Sequence, residues 1–536
     1  MGEKAESFRL SKERCCRAAA WLLLVVVVGG CRSVGYSFKL KGDGTAQILV
    51  SDSQIVNHVR ALSRDANQQY SNYLQPTFHG STNSELVRRD RRVDPGTHDP
   101  LLVGDAICRR LRPIASFIHL SDAQIKEASV DIEPSIARLY PSADRDREVE
   151  LYGYATFLAT ILSINTLERS QADSGPCPAP LPPQFAIHTG DAIDASMFSE
   201  VLQFLSIVNE LKIPFLNVVG NHDDVFFGTL PPAKMSGFNV VSPFVPVQGH
   251  QRFVRSHHPE ASSTDISIPH SARDQHEPTN FGLAPDQTTT DFPPSAFHGF
   301  DLICAEPAPL ALCDEAKGYY SFDYTVQANE SSQLRTIRVV VLNTFESSPQ
   351  SLVGVIKQLS KGRMEDKQFE WLKGILDESE EDQSAVMVFG HHPFASFTGG
   401  DGDRLREMLT QAEPVIAYLV GHKHKHEVRR HAREGQDVPL WEILGGVNIA
   451  YPQFGVQVEL LEDAQNSHTG YLRLRSFEEH LSEAPASCEE LSTDSPLPCQ
   501  ARAGREGAKR DAGDEWQEIR TQAINEANGM LAVRLR

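Results

Sequence analysis

The sequence predicts a layered α/β fold, and two observations lead to that prediction. From about residue 114 onward, short apolar runs of strand length alternate with segments whose apolar residues recur at helical spacing. Five of the apolar runs are followed directly by a carboxylate, an amide or an imidazole. Open α/β sheets form their binding crevice at the carboxyl ends of the strands, so the same pattern predicts one functional site at that edge.

The predicted elements fall into two groups along the chain. The first group comprises strand Ile114–Leu120, a helix within Glu148–Glu168, strand Phe185–His188, helix Glu200–Leu211 and strand Pro214–Val219. The second group comprises strand Ile337–Asn343, helix Lys367–Leu376, strand Ala385–Phe389, helix Asp403–Gln411, strand Val415–Val420, further strand-like segments to about residue 476 and an amphipathic helix near Glu515–Ala527. Each strand is a short apolar run, and each helix has an apolar face.

These elements divide the chain into segments. We expect a signal peptide at 1–30, an anchor and linker region at 31–112, and an α/β domain at 113–476. Within that domain, residues 225–335 interrupt the rhythm with many Pro, Ser, Thr, Asp and His residues. This stretch is too long for an ordinary connection, which predicts a loop-rich insertion or lid. Residues 477–536 are expected to form a C-terminal tail that contains one helix.

The N-terminus has the pattern of a targeting segment. A basic region precedes the unbroken apolar run Ala18–Val28, which is too short to span a bilayer as a helix. The following Gly29-Gly30-Cys31 resembles the lipobox of bacterial lipoproteins, whose Cys is lipidated. By that resemblance we expect an outer-membrane lipoprotein facing the periplasm or the cell surface. The alternative is a plain secretory signal cut near Gly30, which would give a secreted soluble protein.

The charge and the cysteines restrict the other interpretations. A formal net charge of −20 gives the chain no general attraction to nucleic acid. Export implies an oxidising compartment, and six cysteines follow Cys31. They allow fifteen pairings, and the sequence leaves the choice open. Cys304–Cys313 and Cys488–Cys499 are close enough to staple loops, and none of the six has the spacing of a Cys-type zinc site.

Five short motifs follow the apolar strands and carry the chemistry. They are Ser121-Asp122-Ala123-Gln124, Gly190-Asp191-Ala192-Ile193-Asp194, Gly220-Asn221-His222-Asp223, Gly390-His391-His392-Pro393 and Gly421-His422-Lys423-His424. Any one of them could be turn chemistry at the end of a strand. Five in order, each after an apolar strand, indicate one shared site.

Taken together, the motifs resemble those of the calcineurin-like metallophosphoesterase family. That family has Asp-x-His, Gly-Asp-x-x-Asp, Gly-Asn-His-Asp/Glu, His-x-Pro and Gly-His-x-His, and four of the five match here in full. The resemblance covers roughly residues 113–475. It implies a four-layer α/β/β/α sandwich with two facing sheets and a dimetal site at the sandwich edge.

The resemblance also implies which residues bind the two divalent ions. Asp122, Gln124, Asp191 and His424 would surround one metal, and Asp191, Asn221, His391 and His422 the other. A bridging carboxylate reduces the repulsion between two cations, and Asp191 is the natural candidate. Mixed nitrogen and oxygen ligands suit Mn, Fe, Zn or Ni without choosing among them. His392 and His426 are expected in neighbouring or surface roles, and Asp194 near the site without binding metal.

The implied activity is that of a phosphoric ester hydrolase. A dimetal-activated water would hydrolyse a phosphate mono- or diester, and the partner would be a phosphorylated small molecule or another phosphoester. His222 resembles the family's histidine that stabilises the transition state or protonates the leaving oxygen, and Asp223 is expected to orient it.

One residue departs from the family pattern. Gln124 stands where the family usually has His, and a neutral amide is a poorer ligand for Zn or Fe. This leaves a second hypothesis, a catalytically weak binding protein of the cell envelope that keeps the fold.

Overall fold

The computed structural model describes residues 105–125, 152–167, 177–194, most of 203–223, 319–327, 334–345, 361–480 and 497–535, together with short strands in between. The predicted signal peptide and most of the predicted insertion lie outside these residues. In the part of the chain that is described, no helix is long and apolar enough to span a membrane.

The described elements are sixteen strands and six α-helices. The strands are β1 (Phe38–Leu40), β2 (Ala46–Ile48), β3 (Gln75–Phe78), β4 (Leu111–Leu120), β5 (Phe185–His188), β6 (Phe215–Asn217), β7 (Phe297–His298), β8 (Tyr320–Gln327), β9 (Leu334–Val341), β10 (Ala385–Phe389), β11 (Val415–Val420), β12 (Glu427–His431), β13 (Leu440–Leu444), β14 (Gly455–Asp463), β15 (Asn466–His480) and β16 (Gly529–Arg534). The helices are α1 (Asp105–Cys108), α2 (Gly153–Ile164), α3 (Asp366–Glu381), α4 (Asp401–Gln411), α5 (Leu497–Asp511) and α6 (Trp516–Glu526).

Fourteen of these strands form two seven-stranded sheets. The first sheet has the order β16-β15-β14-β4-β5-β6, with β3 also paired to β15. The second sheet has the order β12-β13-β11-β10-β9-β8-β7. Strands β4, β5 and β6 run parallel, as do β9, β10, β11 and β13. In a parallel set the carboxyl ends meet at one edge, which brings the segments after these strands together.

The two sheets pack face to face through an apolar core. Phe117 of the first sheet stacks on Phe185 at a centroid distance of 5.1 Å and meets Phe389 of the second sheet edge-on at 5.6 Å. Val339 and Val341 join the same core from the second sheet. Side chains alternate across a strand, so the residues between them face the other way and are covered by helices.

Helices cover both outer faces. Ile118 and Leu120 of the first sheet pack with α2, and Ala501 of α5 lies in the same cluster. On the second sheet, Val340 packs with Phe369 of α3 and with α4. The architecture is therefore an α/β/β/α sandwich, which confirms the predicted fold class.

Two of the predicted segments contribute strands to the sheets. Strand β8 lies inside the predicted 225–335 insertion yet is paired along its length with β9. The tail predicted from residue 477 contributes β16 to the first sheet and α5 against α2. The helix α6 lies where the sequence predicts one.

A disulfide closes the start of the sandwich. Cys108, at the end of α1, is bonded to Cys177 shortly before β5, and Cys499 is also disulfide-bonded. The Cys304–Cys313 pair that the sequence suggests lies outside the described residues.

Candidate metal centre

Loops that leave the parallel strands bring the predicted ligands to one place. Asp122 follows β4 by two residues, Asp191 follows β5 by three, and Asn221 follows β6 by four. His391 and His422 each follow a strand of the second sheet by two residues. The site is therefore built from both sheets at the edge that their strand ends share.

The first donor group combines two carboxylates, an imidazole and an amide. Asp122, Asp191 and His424 each offer a ligand atom, and these atoms lie within 4.8 Å of one another. Gln124 Nε2 lies 3.2 Å from His424 Nε2 and 3.5 Å from Asp191 Oδ2. The four residues predicted around the first metal therefore meet, including the unusual glutamine.

The second donor group is equally compact. Asn221 Oδ1 lies 3.1 Å from His391 Nε2 and 3.0 Å from His422 Nδ1. His391 Nε2 is also 3.1 Å from Asp191 Oδ2. One carboxylate oxygen of Asp191 thus faces ligands of both groups, which is the position that a bridging ligand requires.

The backbone of the site is held in an uncommon conformation. Among the described residues, six that are not glycine have positive φ, and five of them are predicted ligands: Asp122, Gln124, Asp191, His422 and His424. Such residues are uncommon, and they cluster where the surrounding structure imposes them for a function. This concentration marks the site independently of its motifs.

Two motif glycines allow the loops to approach closely. A Cβ on Gly220 would overlap the main chain and the carboxylate of Asp191, and a Cβ on Gly421 would overlap Ser121 and Asp122. No side chain fits at either position without moving a predicted ligand. The site therefore requires glycine before Asn221 and before His422, because any larger residue would overlap its neighbours.

Hydrogen bonds tie the two sheets together at the site. The main-chain N–H of His422, from the second sheet, donates to the Asp122 carboxylate at 3.0 and 3.1 Å. His391 Nδ1 donates to the carbonyl oxygen of Thr189 at 2.7 Å. A carbonyl can only accept, so this bond places the ring proton on Nδ1 and turns Nε2 toward the other donors.

The chemistry of the donor set fits a pair of divalent cations. Nε2 of His391 faces two acceptor oxygens, Asp191 Oδ2 and Asn221 Oδ1. Because the proton of the neutral ring is on Nδ1, Nε2 carries a proton only if the ring is charged. Acceptor atoms that converge in this way require a cation or an added proton between them. Carboxylate, imidazole and amide ligands together suit a first-row divalent metal.

The charges of the site lead to the same conclusion. Burial opposes charge on every group, yet His391 and His222 hold the pKa of Asp191 well below its ordinary value. In turn, and again against burial, Asp191 raises the pKa of His391 to about 9. The buried carboxylates therefore demand positive charge nearby, and bound metal ions are a second source of it.

His222 lies beside the Asp191 carboxylate. Its Nε2 is 4.0 Å from Asp191 Oδ2, and its Nδ1 is 2.8 Å from the carbonyl oxygen and 3.3 Å from the carboxylate of Asp194. Although burial favours the neutral ring, Asp191 and Asp194 raise the pKa of His222 to about 10. Two carboxylates thus favour the protonated ring, and Asp194 also contacts its Nδ1.

Asp223 holds the loop that carries Asp191. Its carboxylate accepts hydrogen bonds from the main-chain N–H groups of Asp191, Ala192, Ile193 and Gly220, at 2.7 to 3.2 Å. Burial and the charge of Asp191 raise the pKa of Asp223 to about 7. Asp223 thus fixes the loop that carries Asp191, and His222 Nδ1 contacts Asp194. That Asp223 orients His222 stays a prediction.

His392 and Thr344 lie within the site, although the sequence analysis assigns neither of them a part in its chemistry. His392 is fully buried, and a ligand atom of its ring lies within 4.8 Å of those of His391 and His422. Thr344 Oγ1 accepts hydrogen bonds from the main-chain N–H groups of His391 and His392 and lies 2.9 Å from His392 Nδ1. Thr344 follows β9 at the same sheet edge, and this position after a strand is the sequence feature by which it could have been identified. His426 is also buried, so neither extra histidine has a surface role.

No protein-family model and no curated protein matches the sequence. Several solved structures resemble the fold. A dimetal phosphatase from Danio rerio has a TM-score of 0.38 and 14% identity, with 69% of this chain and 100% of that chain covered. The NAD nucleotidase of Haemophilus influenzae has a TM-score of 0.34 and 9% identity, with 78% of this chain and 60% of that chain covered. A calcineurin-like phosphoesterase from Bacillus subtilis has a TM-score of 0.32 and 11% identity, with 76% of this chain and 99% of that chain covered.

The name of the Bacillus subtilis protein is also the name of the family that the five motifs resemble. At TM-scores below 0.4 the likenesses describe neighbours of the fold and carry no inference about the chemistry of this chain. The residues of the site carry that inference.

Proposed function

We propose that this chain is a metal-dependent phosphoesterase that hydrolyses a phosphate mono- or diester with the help of two divalent ions. The observation that carries the proposal is the position of Asp191. Its Oδ2 lies 3.1 Å from His391 Nε2 and 3.5 Å from Gln124 Nε2, and so between the two donor groups. A single metal site would need neither a shared carboxylate nor seven convergent ligands.

The residues divide the work of hydrolysis. Two divalent ions held here would supply the positive charge that a phosphoryl group needs and lower the pKa of an attacking water. Asp122, Gln124 and His424 would hold one ion, and Asn221, His391 and His422 the other. Asp191 would hold both. Mn, Fe, Zn and Ni all suit this ligand set.

His222 would move the proton. A leaving alkoxide or phenoxide needs a proton as the phosphorus–oxygen bond breaks, and a charged imidazole is a suitable donor. Asp194 keeps that imidazole charged and fixes its orientation through Nδ1, which leaves Nε2 toward the site. No serine or cysteine nucleophile is required.

The alternative of a catalytically weak binding protein rests on Gln124 alone. Gln124 lies within 3.5 Å of two other predicted ligands of its group, His424 and Asp191, and an amide oxygen is a chemically competent ligand for hard ions such as Mn. We therefore favour hydrolysis. In a Gln124→His variant the alternative predicts that activity and a second metal are gained together, whereas our proposal predicts two metals in the wild type.

The test combines metal analysis with a substrate panel. Purified protein should contain about two first-row metal ions per chain and release phosphate from phenyl phosphate or from a bis-aryl phosphate diester. Asp191→Asn should lose both metals and activity, while the exposed Asp437→Asn, which removes the same charge far from the ligands, should keep both. A wild type that binds no metal and hydrolyses none of the esters with any of the four metals would refute the proposal.

We also propose that the mature chain is exported and anchored through lipidated Cys31. The support is the sequence pattern of residues 18–31, which lie outside the described part of the structure. Metabolic labelling with a radioactive fatty acid should label the wild type, and a Cys31→Ala variant should be unlabelled and released from membranes. Equal labelling of both would contradict the anchor.

A further inference from the structure

Two exposed lysines lie next to the metal ligands. Lys423 separates the ligands His422 and His424 and is itself exposed. Its position in the loop after β11 fixes it at the mouth of the site, because both neighbouring side chains point into the ligand cluster.

Lys361 reaches the same region from another part of the chain. The next residue, Gly362, packs so closely on His392 that an added Cβ would lie 2.9 Å from the His392 Cβ. Its main-chain N–H donates to Ser396, and that of Arg363 donates to Thr344. These bonds fix the Lys361 segment against the second donor group.

The two lysine segments border the same donor group. Gly362, the residue after Lys361, packs on His392, and a ring nitrogen of His392 lies within 4.8 Å of one of His422. His422 is the residue before Lys423. Both lysines therefore lie beside the second donor group.

Neighbouring basic residues have carboxylate partners. Lys425 Nζ lies 2.6 Å from the Glu427 carboxylate, and Arg429 contacts both Glu427 and Glu442. Among the residues that the structure describes, Lys361 and Lys423 form no ion pair. The chain has a net charge of −20, so two positive charges beside this site have the sign opposite to that of the chain as a whole. Together they would attract an anion bound at the mouth of the site.

We propose that Lys361 and Lys423 bind a second anionic group of the substrate, so that the preferred substrates are phosphoesters bearing a further phosphate or carboxylate. The inference rests on the proposed function, in which the metal ligands take the phosphate that is cleaved. The lysines then take the group that is not cleaved. An ammonium group is a compact donor for either kind of oxyanion and imposes no bidentate geometry.

The test uses three small esters that differ in one group. They are phenyl phosphate, 4-carboxyphenyl phosphate and 1,4-phenylene bisphosphate, each assayed by phosphate release with the metal-loaded full chain. We expect the wild type to have a higher kcat/KM for both probes that carry a second anionic group than for phenyl phosphate. An exposed charge pair is worth up to about 1 kcal/mol, so Lys361→Ala and Lys423→Ala should each reduce that preference up to about fivefold. The charge reversals Lys361→Glu and Lys423→Glu should reduce it further.

Lys425→Ala is the matched control, because its charge is already compensated by Glu427. An unchanged preference in Lys425→Ala together with a loss in the other two supports the anion site, and the carboxylate and bisphosphate arms show which group is bound better. No preference in the wild type, or an equal loss in all three alanine variants, would overturn it. If none of the esters is hydrolysed, the proposed function fails and the anion site with it. Hydrolysis without a lysine-dependent preference overturns the anion site alone.

Discussion

Replacing Asp194 with Asn tests the assignment of the proton donor. The variant keeps the size of the side chain and removes the negative charge 3.3 Å from His222 Nδ1. Asp194 is one of the two carboxylates that keep the His222 ring charged, so its neutralisation should lower the pKa of His222. A general acid works only while it is protonated. Activity should therefore begin to fall at a lower pH in the variant than in the wild type.

The size of the shift follows from the distance and the exposure of the pair. Both side chains are partly open to water, with 21% and 26% exposed. Between unit charges at that distance, the Coulomb energy is about 1.3 kcal/mol at a dielectric constant of about 80 and about 2.5 kcal/mol at about 40. One pKa unit corresponds to about 1.4 kcal/mol, so the alkaline limb should move down by roughly one to two pH units.

The assay is the pH profile of kcat/KM for phenyl phosphate between pH 6 and pH 11. A second ester with a better leaving group, 4-nitrophenyl phosphate, needs less proton donation and should show a smaller effect. Asp437→Asn, which removes one exposed carboxylate far from the site, provides the control profile. An alkaline limb that stays in place in Asp194→Asn, or that moves equally in the control, would refute the role given to His222 and Asp194.

Three further predictions concern stability. Phe117→Ala removes the ring between the sheets and should lower the free energy of unfolding by about 3–5 kcal/mol in urea titrations; a loss below 1 kcal/mol would contradict the packing. Burial lowers the pKa of His188 from 6.5 to about 4, so the unfolded chain takes up a proton before the folded one, and stability falls as pH drops from 6.5 to 4. That loss is about 3 kcal/mol in the wild type and should be smaller in His188→Gln. Chelation of metal should lower the Tm of the wild type and leave that of Asp191→Asn unchanged, as measured by calorimetry.

The apolar runs were sufficient to predict the centre of the fold. Strands β5, β10 and β11 have the predicted bounds, because each is a continuous apolar run stopped by a polar motif residue or glycine. Helix α3 extends five residues beyond its prediction, to Glu381, because its last turns are polar and show no apolar period. The buried face of α5 consists of Ala, Gly, Cys and Pro, and so it gave no helical signal.

The convergence of the predicted ligands could be expected for a related reason, since each of them closely follows a strand. Their supporting residues were not. Asp194 lies in a recognised motif, yet only the structure shows that it holds His222. Lys361 has no motif at all and reaches the site because Gly362 packs on His392. Contacts of this kind depend on which loops become neighbours in space, and spacing along one chain does not encode that.

The left-handed backbone of the ligands links the site to the stability of the fold. Five residues with positive φ cost on the order of 1 kcal/mol each, which together is comparable to the net stability of a domain. The bonds from His422 to Asp122 and from His391 to Thr189 offset part of that cost, and they do so by joining one sheet to the other. Metal binding at these predicted ligands would add its free energy to that of the fold. The packing of the two sheets and the geometry of the predicted ligands are therefore thermodynamically coupled. A change at Gly220 or Gly421, which carry no functional group, should weaken metal binding as surely as the loss of a ligand, because either Cβ displaces Asp191 or Asp122.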